Sequence, residues 1–343
     1  MKIFTKEARS VLFFAFVVCV SLGCASDPQT SGAITYDTAL LTGVSVITDD
    51  KLSKNWVKAS PDGTKLLYCE SGKVVSRSDL SGVSYNYWNI MFLRDANIAA
   101  KTPLITDYAY APAWYENNTG FIYVVNEGGS SKLVRSSISG GGKTYITRNP
   151  IGKDDARPVI RNGVILCDTE MNGKRQIVSL LENGTGVTIL GEGYSPSWHP
   201  FESRFIFIRN GDLYEMDLET NQVTQIYSDN SYACAMPSYS PNGDLILFQK
   251  GAIQKVVGTS EKKGGFMGGF LGGLFGGKKK TTEVSEESRW HLFTIRNDGT
   301  SLSQLTSGNV DVYSPCWGRD NEIYFVSNSN GNTEIWKAWV NFE

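Results

Sequence analysis

Apolar and polar positions alternate over short runs through most of this chain, a period of two that predicts strands rather than helices. The pattern is cleanest at 194–227. Tyr194 to Pro200 reads as a short inner strand, Arg204 to Ile208 as a second, Asp212 to Leu218 as a third and Gln222 to Tyr227 as a fourth. Asn210-Gly211 supplies a tight hairpin between the second and third, and Thr220-Asn221 a turn into the fourth. The unit is a four-stranded antiparallel meander.

Other stretches align on it. Inner strands read Val57-Lys58-Ala59, Pro112-Ala113-Trp114, Pro158-Val159-Ile160, Pro237-Ser238-Tyr239 and Pro315-Cys316-Trp317. Their prolines are expected near a strand start, where a missing N–H is tolerated. A short phrase ends successive units: Ser-Val-Ile-Thr (45–48), Pro-Leu-Ile-Thr (103–106), Thr-Tyr-Ile-Thr (144–147), Val-Thr-Ile-Leu (187–190), Val-Thr-Gln-Ile (223–226) and Ser-Gln-Leu-Thr (303–306). The first copy has no unit before it, and the last unit, 312–340, has no copy after it. The expected fold is therefore all-β: a six-bladed β-propeller of four-stranded blades, with residues 43–48 closing the last blade. Such closure removes sheet edges. The aromatics at Trp114, Trp198, Tyr239 and Trp317 recur at one position and are expected to pack between blades.

Ser-Pro-x-Trp, Ser-Pro-Asp-Gly (60–63), a hydrophobic strand and a closing Leu-Thr together resemble the repeat of the TolB-type (WD40-like) six-bladed propeller. The resemblance spans about residues 43–340 and implies the fold more than a function. TolB proper carries a further α/β domain ahead of its propeller; about twenty residues separate Cys24 from the first expected strand here.

Residues 1–23 read as an export signal. Lys2, Lys6 and Arg9 precede an apolar run, Val11 to Val20, too short for a membrane span. Ser21-Leu22-Gly23-Cys24 resembles a bacterial lipobox, with Ser21 where a large aliphatic residue is usual. That likeness implies lipidation of Cys24, residues 24–42 acting as a tether to the domain at 43–343. The absence of Asp at position 25 leans, by the same likeness, towards the outer membrane facing the periplasm. Removing 1–23 leaves 30 basic against 34 acidic residues. A mildly acidic balance argues against nucleic-acid binding. Cys69, Cys167, Cys234 and Cys316 are spread over different repeats without metal-ligand spacing, so buried free thiols are expected.

Two repeats carry insertions between second and third strands, at 71–88 and 251–289. The second centres on GG-FM-GG-FL-GG-LF-GG (264–277). As a helix it would line up Phe266, Met267, Phe270, Leu271, Leu274 and Phe275. Its eight glycines would cost on the order of 8 kcal/mol relative to alanine, and its length, about 21 Å, falls short of a bilayer core. With Lys278, Lys279 and Lys280 following, the segment reads as one that dips into a lipid leaflet or a partner's groove. A second set is an acid before most inner strands: Asp49 and Asp50, Asp107, Asp154 and Asp155, Glu192, Asp229, Asp311. These are either turn and cap residues or a channel mouth for a cation or basic peptide.

Enzyme signals are sparse. The chain has two histidines, His199 and His291, and no Gly-x-Ser-x-Gly or nucleotide-binding glycine motif. No cofactor and no metal site is expected. The sequence reads as a lipid-anchored, non-catalytic propeller that engages envelope partners and, through 264–277, a membrane. The competing class is a ligand- or cation-binding protein or enzyme that uses the acidic channel mouth.

Overall fold

The computed structural model describes residues 33–341 apart from 51, 74–85, 94–99, 106–108, 128, 140–141, 252–288 and 330. The chain opens with β1 (Thr35–Tyr36) and β2 (Leu41–Val46). Consecutive meanders follow: β3–β6 (Lys54–Ala59, Leu66–Lys73, Asn86–Leu93, Lys101–Ile105), β7–β10 (Ala109–Trp114, Gly120–Glu127, Ser130–Ser137, Thr144–Tyr145) and β11–β14 (Ala156–Arg161, Val164–Met171, Lys174–Leu181, Thr188–Glu192). Then come β15–β18 (Tyr194–Trp198, Arg204–Arg209, Asp212–Asp217, Val223–Tyr227) and β19–β22 (Ala233–Tyr239, Leu245–Gly251, His291–Arg296, Ser303–Gln304). β23 (Thr306–Ser307) precedes β24–β26 (Val312–Trp317, Glu322–Ser327, Glu334–Val340).

The molecule is an all-β propeller of four-stranded antiparallel blades. Among the described residues there are six four-stranded sheets and a two-stranded one. Five sheets are single meanders; the sixth has the order β2-β26-β25-β24. The expected partner of 334–340 was 43–48, and the strand lies two residues earlier. Leu41 faces Val340 and Val46 faces Trp336, while the Ile47 N–H still bonds the Ile335 carbonyl at 2.9 Å.

Local chemistry explains the hairpins. Asn210 and Gly211 both have positive φ, 53° and 83°, as a two-residue turn of matching twist requires. The Ser60 hydroxyl bonds Asp62 at 2.6 Å and accepts the Lys65 N–H at 2.9 Å; Ser240, Asn242 and Leu245 repeat that circuit. Second strands such as Phe121 to Val125 and Phe205 to Ile208 are buried without alternation, because blades cover them on both faces.

The interblade aromatics behave as expected. Trp114 packs on Leu67 and Cys69 of the preceding blade and donates to the Lys58 carbonyl at 3.0 Å. Trp317 packs on Leu247 and Leu292 and donates to the Ser238 carbonyl at 3.1 Å. Trp198 sits with Leu166 and Ile177, and Tyr239 with Ile206 and Ile208. Cys69, Cys167, Cys234 and Cys316 are buried and form no disulfide among the described residues.

Four expectations need correction. The stretch 24–42 is not wholly a tether: β1 pairs with β23, and Ile34 (8% exposed) and Leu41 (1%) join a core with Leu305, Val310 and Val340. The first insertion is shorter than 71–88, because Ser71, Gly72 and Lys73 pair with Trp88, Tyr87 and Asn86. The second begins after Gly251, which is a strand residue paired with Ala233. The inner-strand prolines do not sit at strand starts; each lies within its strand, just after a bulge described next.

Candidate functional site

Every inner strand breaks register once. The breaks fall between Asn55 and Lys58, Tyr110 and Ala113, Ala156 and Val159, Tyr194 and Ser197, Ala235 and Ser238, and Tyr313 and Cys316. The first residue inside each break is left-handed: Trp56, Ala111, Arg157, Ser195, Met236 and Ser314, with φ of 57°, 51°, 48°, 57°, 53° and 51°. Proline follows in five of the six, at 112, 158, 196, 237 and 315. A bulge adds an unpaired residue and re-aims its side chain. It also frees the next position from the ladder, so proline's missing N–H is harmless there. Non-glycine residues in this conformation cost roughly 1–2 kcal/mol each, and surrounding contacts must hold them.

Those contacts are specific. The Ser195 N–H donates to Asp168 at 3.0 Å, and the Ser314 N–H to the Gln249 side-chain oxygen at 2.7 Å. The Ala111 N–H donates to the Cys69 sulfur. Asp168, fully buried, also accepts from Arg157 Nε at 2.7 Å and from Arg175 Nε at 2.7 Å. One carboxylate thus joins two guanidiniums and a neighbouring blade's bulge.

The bulge residues surround a cavity of about 40 Å³ on the axis, lined from the inner strands of five blades. Among the described residues its charged lining is Lys58 and Arg157, with no carboxylate. Burial pushes the Lys58 pKa down from its ordinary value, only partly offset by the nearby Cys316. Burial in turn pushes the Cys316 thiol up to about 11, so it stays neutral.

None of the described acids expected at a channel mouth lines this cavity. Asp50 takes hydrogen bonds from Lys54 and Lys101. Burial opposes its ionised form, but those two bonds prevail and hold its pKa at about 2. Asp154 lies 3.6 Å from Arg175. Asp155, buried, accepts the Ile151 N–H at 2.9 Å, and burial moves its pKa up. Glu192 accepts from Lys174 at 2.9 Å. Asp229 accepts from Lys250 at 3.1 Å and from the Ser231 N–H at 2.8 Å; burial acts against its charge, yet these bonds hold its pKa at about 2. Asp311 accepts from Arg289 at 2.9 Å and from the Trp290 N–H at 3.1 Å. Each of these acids is met by a base or a backbone N–H of this chain. Asp107, Cys24, Phe266, Met267, Phe270, Leu271, Leu274, Phe275 and Lys278 to Lys280 lie outside the described residues.

His199 is a loop brace: its Nδ1 accepts the Glu202 N–H at 3.0 Å, and burial lowers its pKa. His291 is buried, which lowers its pKa to about 4. Among the described residues no group of three His, Cys, Asp or Glu side chains converges on a metal position. The sequence reading missed Trp56, Lys58 as a channel residue, Arg157, Ser195 and Met236. For Arg157, Ser195 and Met236 the signal available was the proline that follows each; Trp56 and Lys58 carry no such mark.

Comparison with known protein families and with curated proteins gives no match. Solved structures do resemble this fold. One assigned as TolB from Agrobacterium tumefaciens aligns with 66% of this chain and 73% of its own, at 18% identity and TM-score 0.50. An oligogalacturonate lyase in complex with manganese aligns with 90% of this chain and 97% of its own, at 11% identity and TM-score 0.52. A gluconolactonase from Xanthomonas campestris aligns with 91% and 95%, at 10% identity and TM-score 0.56. At these identities the likeness concerns the fold alone.

Proposed function

We propose that this chain is an exported, lipid-anchored propeller that acts as a non-catalytic scaffold for protein–protein contact at the bacterial cell envelope. In this reading it is a disc of six blades shut by β2, tethered through Cys24 and facing the periplasm from the outer membrane. The observation that carries it is the axis itself. A cavity of about 40 Å³ is far below the roughly 300–1,000 Å³ of ordinary small-molecule sites. Asp50, Asp154, Glu192, Asp229 and Asp311, five of the acids expected at the mouth, are already engaged within the chain. Those two facts favour a scaffold over a metabolite enzyme or a cation site at the mouth. The activities of the lyase and the gluconolactonase do not transfer at 10–11% identity.

The membrane part of the reading rests on composition. Six large apolar residues between Phe266 and Phe275, with lysines at 278–280, suit a leaflet surface. Two experiments test the proposal. Affinity capture from envelope extract should retain a specific protein with the lipidated chain but not with an unrelated lipoprotein; equal capture by both defeats the scaffold reading. Non-lipidated chain should co-sediment with anionic liposomes more than a 264–277 deletion does; equal partitioning removes the membrane role.

A further inference from the structure

We infer that the axial cavity binds a small anion of carboxylate size, held by the Lys58 ammonium with Arg157, Ser195 and Ser197 as further donors. This goes beyond the scaffold reading and does not depend on it.

The first argument is one of charge. Two bases and no acid among the described residues line the cavity. Among the described residues no hydrogen bond or ion pair engages the Lys58 ammonium. Four residues earlier on the same strand, Lys54 lies within salt-bridge reach of Asp50, Glu70 and Glu334. The fold thus supplies carboxylates to one lysine of β3 and withholds them from the other. Cys316, the neighbour coupled to Lys58, is a neutral thiol and cannot serve as its counter-ion. Lys58 is partly buried, and an ammonium drawn partly out of water without a partner gains from a counter-charge.

The second argument is the supply of donors. Arg157 commits Nε and Nη2 to Asp168, and among the described residues no bond claims its Nη1. The Ser195 hydroxyl reaches only the Met236 sulfur at 3.7 Å, a weak acceptor. No bond among the described residues claims the Ser197 hydroxyl. Prolines and Met236 make up much of the remaining wall. The described residues lining the space thus leave the Lys58 ammonium, Arg157 Nη1 and the Ser195 and Ser197 hydroxyls unclaimed for a guest.

The third argument is size. About 40 Å³ of water-accessible space, where one water needs roughly 10–15 Å³, is room for a few waters. Chloride, formate or a single carboxylate group suits a space of that size. The ligand is either a free small carboxylate or the carboxylate at the end or side of a polypeptide that reaches the axis. Both present the same two oxygens to Lys58, and the experiment separates them.

The probe is sodium formate, whose single proton signal broadens on exchange with a bound state. Wild-type protein should broaden it saturably, with chloride competing. Lys58→Met should weaken binding about ten-fold or more, as the loss of a charge-assisted hydrogen bond implies, and Lys58→Arg should retain most of it. A short peptide with a free C-terminal carboxylate is then added, beside the same peptide amidated. Displacement of formate by the acid form alone identifies a chain carboxylate as the ligand; displacement by neither identifies the free ion. Thermal unfolding in formate-free buffer guards against a folding artefact, because Lys58→Met should melt higher than wild type. The proposal fails if wild type shows no saturable broadening, or if Lys58→Met binds formate as tightly as wild type.

Discussion

Two lysines on one strand show how context sets the worth of a charge. Lys54 is 0% exposed and gathers carboxylates from Asp50, from Glu70 on β4 and from Glu334 on β26, with its ammonium also donating to the Leu52 carbonyl at 2.6 Å. Removing it leaves three carboxylates around a buried gap, with Lys101 reaching Asp50 and Glu70. Breaking a buried ionic cluster costs about 3–5 kcal/mol, so Lys54→Met should lower urea-unfolding stability by that amount. A loss under 1 kcal/mol would show the cluster to be well solvated. Lys58 predicts the opposite sign. Its pKa is lowered in the folded chain from the ordinary 10.5, so above the folded pKa and up to about 10.5 the unfolded chain holds the extra proton. Where the unfolded state binds more protons, stability rises with pH. The stability deficit of wild type against Lys58→Met should therefore shrink as pH is raised towards 10.5, measured by paired urea titrations in formate-free buffer. A deficit constant with pH would mean that Lys58 is not desolvated.

The bulged inner strand is the element that makes the axis, and its chemistry alternates around the ring. The residue before the bulge is Tyr110, Tyr194 or Tyr313 in every second blade, paired with Val124, Ile208 or Val326 on the next strand. In the blades between, Asn55, Ala156 and Ala235 pair with Cys69, Asp168 and Gln249. These last three are the side chains that accept the N–H of the next blade's bulge. Two blades, not one, are thus the chemical repeat. The strand pattern, the hairpins and the interblade aromatics were legible in the sequence because period-two burial and Asn-Gly turns act locally. The bulges were not read, although proline marks five of them, because a left-handed Ala, Arg or Met carries no propensity signal of its own. The β1 strand was taken for tether because two residues, Thr35-Tyr36, show no periodicity. Its worth is testable. Ile34 is buried among Leu305, Val310 and Val340, and burying one such side chain contributes about 1.5–3 kcal/mol. A chain starting at 40 should be less stable than one starting at 33 by at least that much in urea, and equal midpoints would return residues 33–39 to the tether.

Inner strands touch in succession from β3 through β7, β11, β15, β19 and β24 and back to β3. The covalent chain is continuous at every step but the last, where β24–β26 meets β3. There β2 lies on β26, Gly43 with φ 61° brings its backbone against the Trp339 ring, and any Cβ on it would stand 2.6 Å from that ring. The same seam holds the Lys54 cluster, with the Thr48 hydroxyl donating to Glu334 at 2.6 Å. Acid should therefore attack the molecule at this place first. Asp50 has its pKa depressed from 3.8 to about 2, where hydrogen bonds from Lys101 and Lys54 overcome the effect of burial. A carboxylate depressed in the folded state stabilises above its unfolded pKa, and that contribution disappears as pH falls through the folded value. The seam should weaken between about pH 4 and pH 2. Asp168 sits instead inside one continuous blade with two arginines around it, and β12 and β13 hold that blade by a full ladder from Val164 to Met171. Hydrogen exchange followed by mass spectrometry over this range should show 41–48 and 334–340 losing protection before 164–181. Simultaneous loss in both regions would mean that the propeller unfolds as one body, and that the pairing of β2 with β26 is no weaker than the covalent joints.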